Sequence, residues 1–385
     1  MTSWHSIISE ATELRHSLHQ NPELTWQEAK TAELVRGHLT KLKIPWKVCA
    51  KYGTIGTIAA DKKGKHIALR ADIDALPVLE KTNLPYKSKY DGLMHACGHD
   101  GHTAALWAAA SWLKQHEKEL SGPVSLFFQP AEEGGHGARE MIADGALEGI
   151  DEIYGWHNWP VIPYGQAVCP DGPVMSGNGT FEIKINGRGG HASQPEVCSD
   201  PVLAAAAITM NLQQIISRRL APQKSAVVSV SSIDAPSSPT VTPETARIGG
   251  SIRLGTPELR DDINRLIIQI SEDTARTYGV NADVKIFPRY DATINHRDQA
   301  LNFRSVLEKQ FGSNWEMSEL PLPVMASEDF SYYLKEISGA YALIGMAENG
   351  HFCYPCHSPL YEFNDQILGP VVSILVRLAG GPKPD

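Results

Sequence analysis

Basic residues are in deficit in this chain and never cluster. Lys and Arg number 35 against 44 Asp and Glu in 385 residues, a net charge of −9. A chain with that balance has no stripe to neutralise phosphates, so nucleic acid and anionic membranes are not expected partners. Long apolar runs are missing as well, and none has the length to cross a bilayer. Residues 1–20 mix Glu10, Glu13, Arg15 and several histidines with apolar residues instead of running basic then apolar, so a cytoplasmic protein is the expectation. Cysteine is sparse. Six in a chain of this length do not make a disulfide framework. Cys353-x-x-Cys356 resembles a redox or metal pair, but no second such pair completes a four-sulfur site. It is read as two loop cysteines with no shared ligand role. Tandem repeats and low-complexity tracts are also absent.

What is present is a globular composition, 42% hydrophobic and 21% charged, over a length that suggests roughly two domains. The chain is organised around Met94-His95-Ala96-Cys97-Gly98-His99-Asp100-Gly101-His102-Thr103, which precedes an alanine-rich helical run, His102 to His116. Cys97 and His99 flank a glycine. In a turn entering a helix, that spacing lets thiolate and imidazole converge on one centre, as zinc or a similar ion requires. A Cys-x-His is common by chance, so its weight comes from similar settings elsewhere.

Those settings recur at the ends of β-rich runs. His66 to Asp72 closes in Arg70-Ala71-Asp72-Ile73-Asp74, two carboxylates that are either solvated strand-end acids or, for Asp74, a partner fixing the tautomer of a ligating imidazole. Val124 to Gln129 is a fully apolar strand followed by Glu132-Glu133-Gly134-Gly135-His136-Gly137. Neighbouring glutamates point different ways, so one can ligate a metal while the other holds a water. Glu152 to Trp156 delivers His157, which taken alone reads better as a satisfied core histidine than as a ligand. Strands alternating with helices, with polar residues at the strand ends, predict an α/β catalytic domain with a mixed, helix-flanked sheet and its site along one edge. From about 177 to 292 the order changes to β-α-β-β-α-β, the ferredoxin-like unit, read as an inserted α+β domain within a discontinuous one of 1–176 and 293–385. The long helix of the insertion is expected over Asp200 to Arg219. Ser327 is read as a helix cap, with Glu328 either a capping acid or a residue near the metal.

Taken together, the segments 70–77, 94–103, 129–135 with Gly137-Ala138-Arg139, 156–160, 187–194, Glu328-Asp329-Phe330 and His357-Ser358-Pro359 resemble the aminoacylase branch of the two-metal exopeptidase family. That branch includes N-acyl-amino-acid amidohydrolases, hippurate hydrolases and hydrolases of auxin–amino-acid conjugates. The resemblance covers essentially the whole chain. It implies two divalent ions per subunit, of zinc, manganese, cobalt or nickel, held by Cys97, His99, Glu133, His157 and His357. It further implies Glu132 as general base toward a water bridging the ions, Asp74 behind a ligand imidazole, and a lid domain that also forms a homodimer. His191 of the lid is similar to a histidine that reaches a facing site across the dimer and steadies the carbonyl oxygen. Arg253 occupies a position resembling a substrate-carboxylate contact, with a surface salt bridge as the equal alternative. Two departures stand out. Thr240 replaces a frequent asparagine, and His136 interrupts a run that is usually all glycine. The expected activity is hydrolysis of N-acyl-amino acids. The rivals are a carboxypeptidase or dipeptidase with the same metals, a binding protein of this fold without activity, and, weakest, a structural scaffold.

Overall fold

The computed structural model describes residues 2–348 and 350–384. The chain divides into two compact units. One takes in the residues up to Val174, Ile294–Pro321 and those from Asp329 onward; the other is Met175–Thr293 with Leu322–Glu328. Residues 322–328, placed with the first domain on sequence grounds, thus belong to the second unit.

The first unit is built on a seven-stranded sheet in the order Trp46–Cys49, Gly53–Ile58, Val124–Gln129, Ile67–Asp72, Glu152–Pro163, Ser338–Ala347, Ala167–Val168. Its four middle strands, Val124–Gln129 through Ser338–Ala347, run parallel, and the strands outside them pair antiparallel. A parallel centre covered on both faces accounts for strand Val124–Gln129, mostly apolar and buried at every position. Helix His99–Gln115 packs between helices Trp4–Gln20 and Leu368–Leu378 and the sheet, and residues 99–113 are buried all round. Its alanines at 104, 105, 108, 109 and 110 allow that close approach on every side. It begins three residues before the expected start, so His99 is already helical. Gly98 caps it at φ +93°, and a Cβ there would sit 2.1 Å from Asn158 Oδ1 and 2.6 Å from the Tyr361 hydroxyl. Only glycine fits that turn.

Two further expectations are corrected. Strand Glu152–Pro163 runs well beyond Trp156, so His157 lies inside it, paired with Leu343, instead of at its end. Ser327 caps nothing. The helix in that region is Ser331–Glu336, with Phe330 in the cap position.

The second unit is a four-stranded antiparallel sheet in the order Ala226–Asp234, Thr245–Leu254, Gly177–Asn186, Asn281–Pro288. Numbered within the unit that is 2-3-1-4, the ferredoxin-like arrangement. Thr245–Leu254 alternates exposed and buried side chains. Its inward face, with Phe181, Ile183 and Ile185, packs on Ala204 and Ile208 of helix Pro201–Leu212 and on Ile263 and Ile267 of helix Leu259–Thr277. Asp200 accepts from the Val202 and Leu203 amides at the start of the first helix. That helix ends at Leu212 and passes into a π-turn, Ile215–Arg219, short of the expected continuous helix.

Candidate metal centre

Asp74 lies just past strand Ile67–Asp72 and is fully buried. Its carboxylate accepts from Thr25 Oγ1 at 2.8 Å and from the amides of Glu132 and Glu133 at 3.1 and 2.9 Å. One side chain therefore sets the corner that follows strand Val124–Gln129. His99 Nδ1 lies 2.9 Å from the Asp74 carbonyl oxygen and 3.3 Å from its Oδ1. Burial pushes the Asp74 carboxyl up, but the His99 hydrogen bond and charge, with the Glu133 amide and Thr25, leave it below the usual range. Donation from Nδ1 turns Nε2 of His99 away from Asp74, and this buried nitrogen has no hydrogen-bond partner among the described residues. Burial also opposes charge on His99. Asp72 and Asp74 outweigh it and raise the imidazole to about 10, so a cation binding at Nε2 must displace a proton.

His157 is the complement. Its Nδ1 donates to the Asn158 carbonyl at 2.6 Å, and its Nε2 stands 3.3 Å from Cys97 Sγ. Burial, then the neighbouring His102, holds it well below the ordinary histidine range, so it is a neutral ligand-type nitrogen. The ligand atoms of Cys97, His99 and Glu133 lie within 4.8 Å of one another. His357 Nε2 is 3.1 Å from Glu133 Oε1, yet that oxygen makes no hydrogen bond, so the two atoms face a common space. The His357 backbone, at φ +69°, is tied through its amide to the Ala96 carbonyl at 2.7 Å. The five residues that the resemblance names as ligands are thus neighbours. Two imidazoles with fixed tautomers, a thiol, a carboxylate and a half-exposed histidine make a donor set that fits divalent transition ions. A hydrogen bond with Cys356, then burial and the charges of Glu133 and Glu132, raise the Cys97 thiol.

Glu132 is buried, with Oε1 3.3 Å from the Asp329 amide. Asp329 is held in turn by the Gln129 side chain at 2.8 and 3.0 Å, the Ala138 amide at 2.9 Å and Arg70 at 3.0 Å. Arg70 also reaches Asp72 at 2.6 Å. Asp72 lies 2.6 Å from His102 Nδ1, whose Nε2 lies 2.8 Å from Asn158 Oδ1. Beneath the candidate ligands runs a closed polar layer, Gln129–Asp329–Arg70–Asp72–His102–Asn158. Sequence reasoning assigned no role to any of these residues. The available signal was an arginine and two acids at the end of an otherwise apolar strand. The layer behind helix His99–Gln115 was missed too. Asp100 accepts from Arg15 at 3.2 Å and from His19 at 2.9 Å. His136 takes the left-handed turn at φ +59° and lies with Nδ1 2.8 Å from the Tyr332 hydroxyl. Cys353 and Cys356, read as loop cysteines with no shared ligand role, lie in different settings: Cys353 is exposed, whereas the Cys356 sulfur lies near Cys97 and His157.

The remaining predicted residues belong to the second unit. His191 is exposed in the short strand Gly190–His191, which pairs with Val241–Thr242. Its Nδ1 faces the Ser193 amide at 3.1 Å and the Ser193 hydroxyl at 2.7 Å. An amide can only donate, so Nδ1 accepts and the neutral ring carries its proton on Nε2, outward as a donor. Thr240 contributes its carbonyl, which accepts from Ala192 at 2.9 Å. Arg253 is half-buried on Thr245–Leu254 opposite Asn178 and Val227. Burial and Arg289 lower its pKa. Glu328 is buried.

Comparison with known proteins finds similarity over nearly the whole chain. A family model described as peptidase family M20/M25/M40 matches residues 68–380. The chain is 38% identical to IAA-amino acid hydrolase ILR1-like 5 of Arabidopsis thaliana, across 95% of this chain and 85% of that protein. It is 39% identical to hippurate hydrolase of Campylobacter jejuni, across 97% and 96%. The crystal structure of the Bacillus subtilis protein YXEP, described as a dinuclear metal binding peptidase from the M20 family, superposes with a TM-score of 0.84 at 32% identity, covering 97% of this chain and 98% of that one.

Proposed function

Since the chain belongs to peptidase family M20/M25/M40, we propose that it is a metal-dependent amidohydrolase that cleaves the amide bond of N-acyl-amino acids. The observation that carries this reading is the gathering of Cys97, His99, Glu133, His157 and His357 beside a buried Glu132 in one unit. The relatives named as hydrolases of hippurate and of IAA-amino acids supply the substrate class.

Cys97, His99, Glu133, His157 and His357 would hold two divalent ions, which when bound acidify a water and polarise the scissile carbonyl. Asp74 orients the ligand imidazole of His99 and the Glu132–Glu133 corner through the bonds given above. Glu132 takes the proton of the attacking water and delivers it to the leaving nitrogen. The Asp329 amide fixes the Glu132 carboxylate for that transfer. His191, with its proton on Nε2, donates to the oxygen that gains charge, and Arg253 pairs with the substrate carboxylate. Thiolate ligation favours zinc; manganese, cobalt and nickel suit the imidazole and carboxylate donors. The second unit acts as lid and as dimer contact. Leu203 and Met210, 54% and 72% exposed on helix Pro201–Leu212, supply apolar surface for it. The six cysteines form no disulfide, which suits a cytoplasmic protein.

The test is the chain reconstituted with zinc, manganese or cobalt, assayed on acetyl-, benzoyl- and indole-acetyl-amino acids beside the matching dipeptides. Turnover of the acylated substrates above the dipeptides is expected. Hydrolysis of dipeptides alone would replace the reading with a dipeptidase.

A further inference from the structure

Cys356 is a thiol near the centre that the mechanism leaves idle. Its Sγ, Cys97 Sγ and a ring nitrogen of His157 lie within 4.8 Å of one another. The Cys97 to His157 Nε2 separation is 3.3 Å, and His157 Nδ1 is already committed to the Asn158 carbonyl. A single tetrahedral ion at zinc–sulfur and zinc–nitrogen bond lengths of ~2.3 and ~2.05 Å needs its sulfurs ~3.8 Å apart and each ~3.6 Å from the nitrogen. The three atoms, all within 4.8 Å of one another, lie within about an ångström of that arrangement. The loop cannot drift from this position easily, because the amide of the next residue, His357, bonds the Ala96 carbonyl beside Cys97. Cys353, three residues away, is exposed, and its thiol donates to Gly350. The bland explanation is that Cys356 only packs as a small apolar side chain against the core. Packing alone does not call for a second sulfur and a neutral imidazole nitrogen around one point.

We propose that Cys356 is a further ligand of the ion held by Cys97 and His157, giving that position two thiolates and an imidazole and a preference for thiophilic ions. This rests on the metal-dependent reading above. Each thiol releases its proton to solvent as the ion binds. Zinc or cadmium would then occupy this position in preference to manganese.

The test uses the full chain, stripped of metal and titrated with cobalt(II), zinc and manganese. In the parent, the near-ultraviolet sulfur-to-cobalt band should carry two thiolates. Cys356→Ser should lose about half of its intensity and weaken zinc about tenfold or more, with manganese changing far less. Cys353→Ser should keep the parent band and affinities. Unchanged band and zinc affinity in both Cys356→Ser and Cys356→Ala would overturn the proposal. Should neither variant fold, the cadmium-113 shift of the unmutated chain counts the sulfurs directly, and a one-sulfur value overturns it. Failure of the parent to bind any metal would sink the amidohydrolase reading as well, whereas two bound ions indifferent to Cys356 sink this proposal alone.

Discussion

The floor of the metal centre and the His191 strand of the second unit place functional groups in opposite ways. In the floor, Arg70, Asp72, Asp74, His99, His102 and Asp329 are all buried, and they hold one another across up to 259 residues of sequence. His191 is exposed, and its ring is oriented by Ser193, two residues on. Ions need a donor set assembled before they arrive, and buried charges tolerate no vacancy. In the role proposed for His191, donation to the substrate oxygen, one proton has to be presented and a local turn suffices. Substitutions should therefore act on chemistry and stability together in the floor, but on chemistry alone at His191.

The largest effect tests the chemistry of the floor. Glu132→Gln should lower kcat by roughly 10²–10⁴-fold while the metal content stays that of the parent; full turnover would remove Glu132 from the proton path. His191→Ala should cost about 10²–10³-fold in kcat with an unchanged melting temperature, as for loss of one oxyanion donor. A fall in melting temperature there would erase the contrast between the two regions. Arg70→Met removes the cation that bridges Asp72 and Asp329, while His99 and His102 remain beside Asp72, and should destabilise the fold by ~3–5 kcal/mol in denaturant titration. A loss well under 1 kcal/mol would show that the layer is not preorganised.

A smaller effect comes from pH. Burial resists charging of His19, but its bonds to Asp100 and Glu80 raise it to about 9 from 6.5. A raised histidine contributes stability that is complete below pH 6.5 and is lost as pH climbs through about 9. The total is roughly 3 kcal/mol by the usual conversion. His19→Asn should flatten that part of the stability profile, and a parent profile already flat from pH 6 to 10 would refute the shift. Thr25→Val removes one hydrogen bond to Asp74 and should cost about 1 kcal/mol, with a modest loss of metal affinity in the same titrations.

Much of this molecule was legible before any coordinates. The β-α-β-β-α-β order from about 177 to 292 announced the ferredoxin-like unit, and in the structure its elements each bury one side against a shared core. The mixed, helix-flanked sheet was visible in buried runs such as Val124–Gln129 alternating with helices. Local signals misled where the environment overrode them. Ser327 looks like a cap but lies in a segment of the second unit, and His157 looks like a strand end but sits within a twelve-residue strand. Cys356 looked idle because its partners, Cys97 and His157, are some two hundred residues or more upstream (259 and 199 positions by number).

By itself the sequence determined which residue types were available for ligation and proton transfer, and it marked them by placing charge and glycine directly after apolar strands. Those are short-range facts, set by backbone preference and by the cost of burying bare charge. The tertiary structure alone decided which of them meet. Sheet order and helix packing join Asp74 to Thr25 and the Glu132–Glu133 corner, Arg70 to Asp329, and His19 to Asp100. No local pattern encodes those pairings, because a buried polar group is satisfied by whatever the fold brings to it, however distant along the chain.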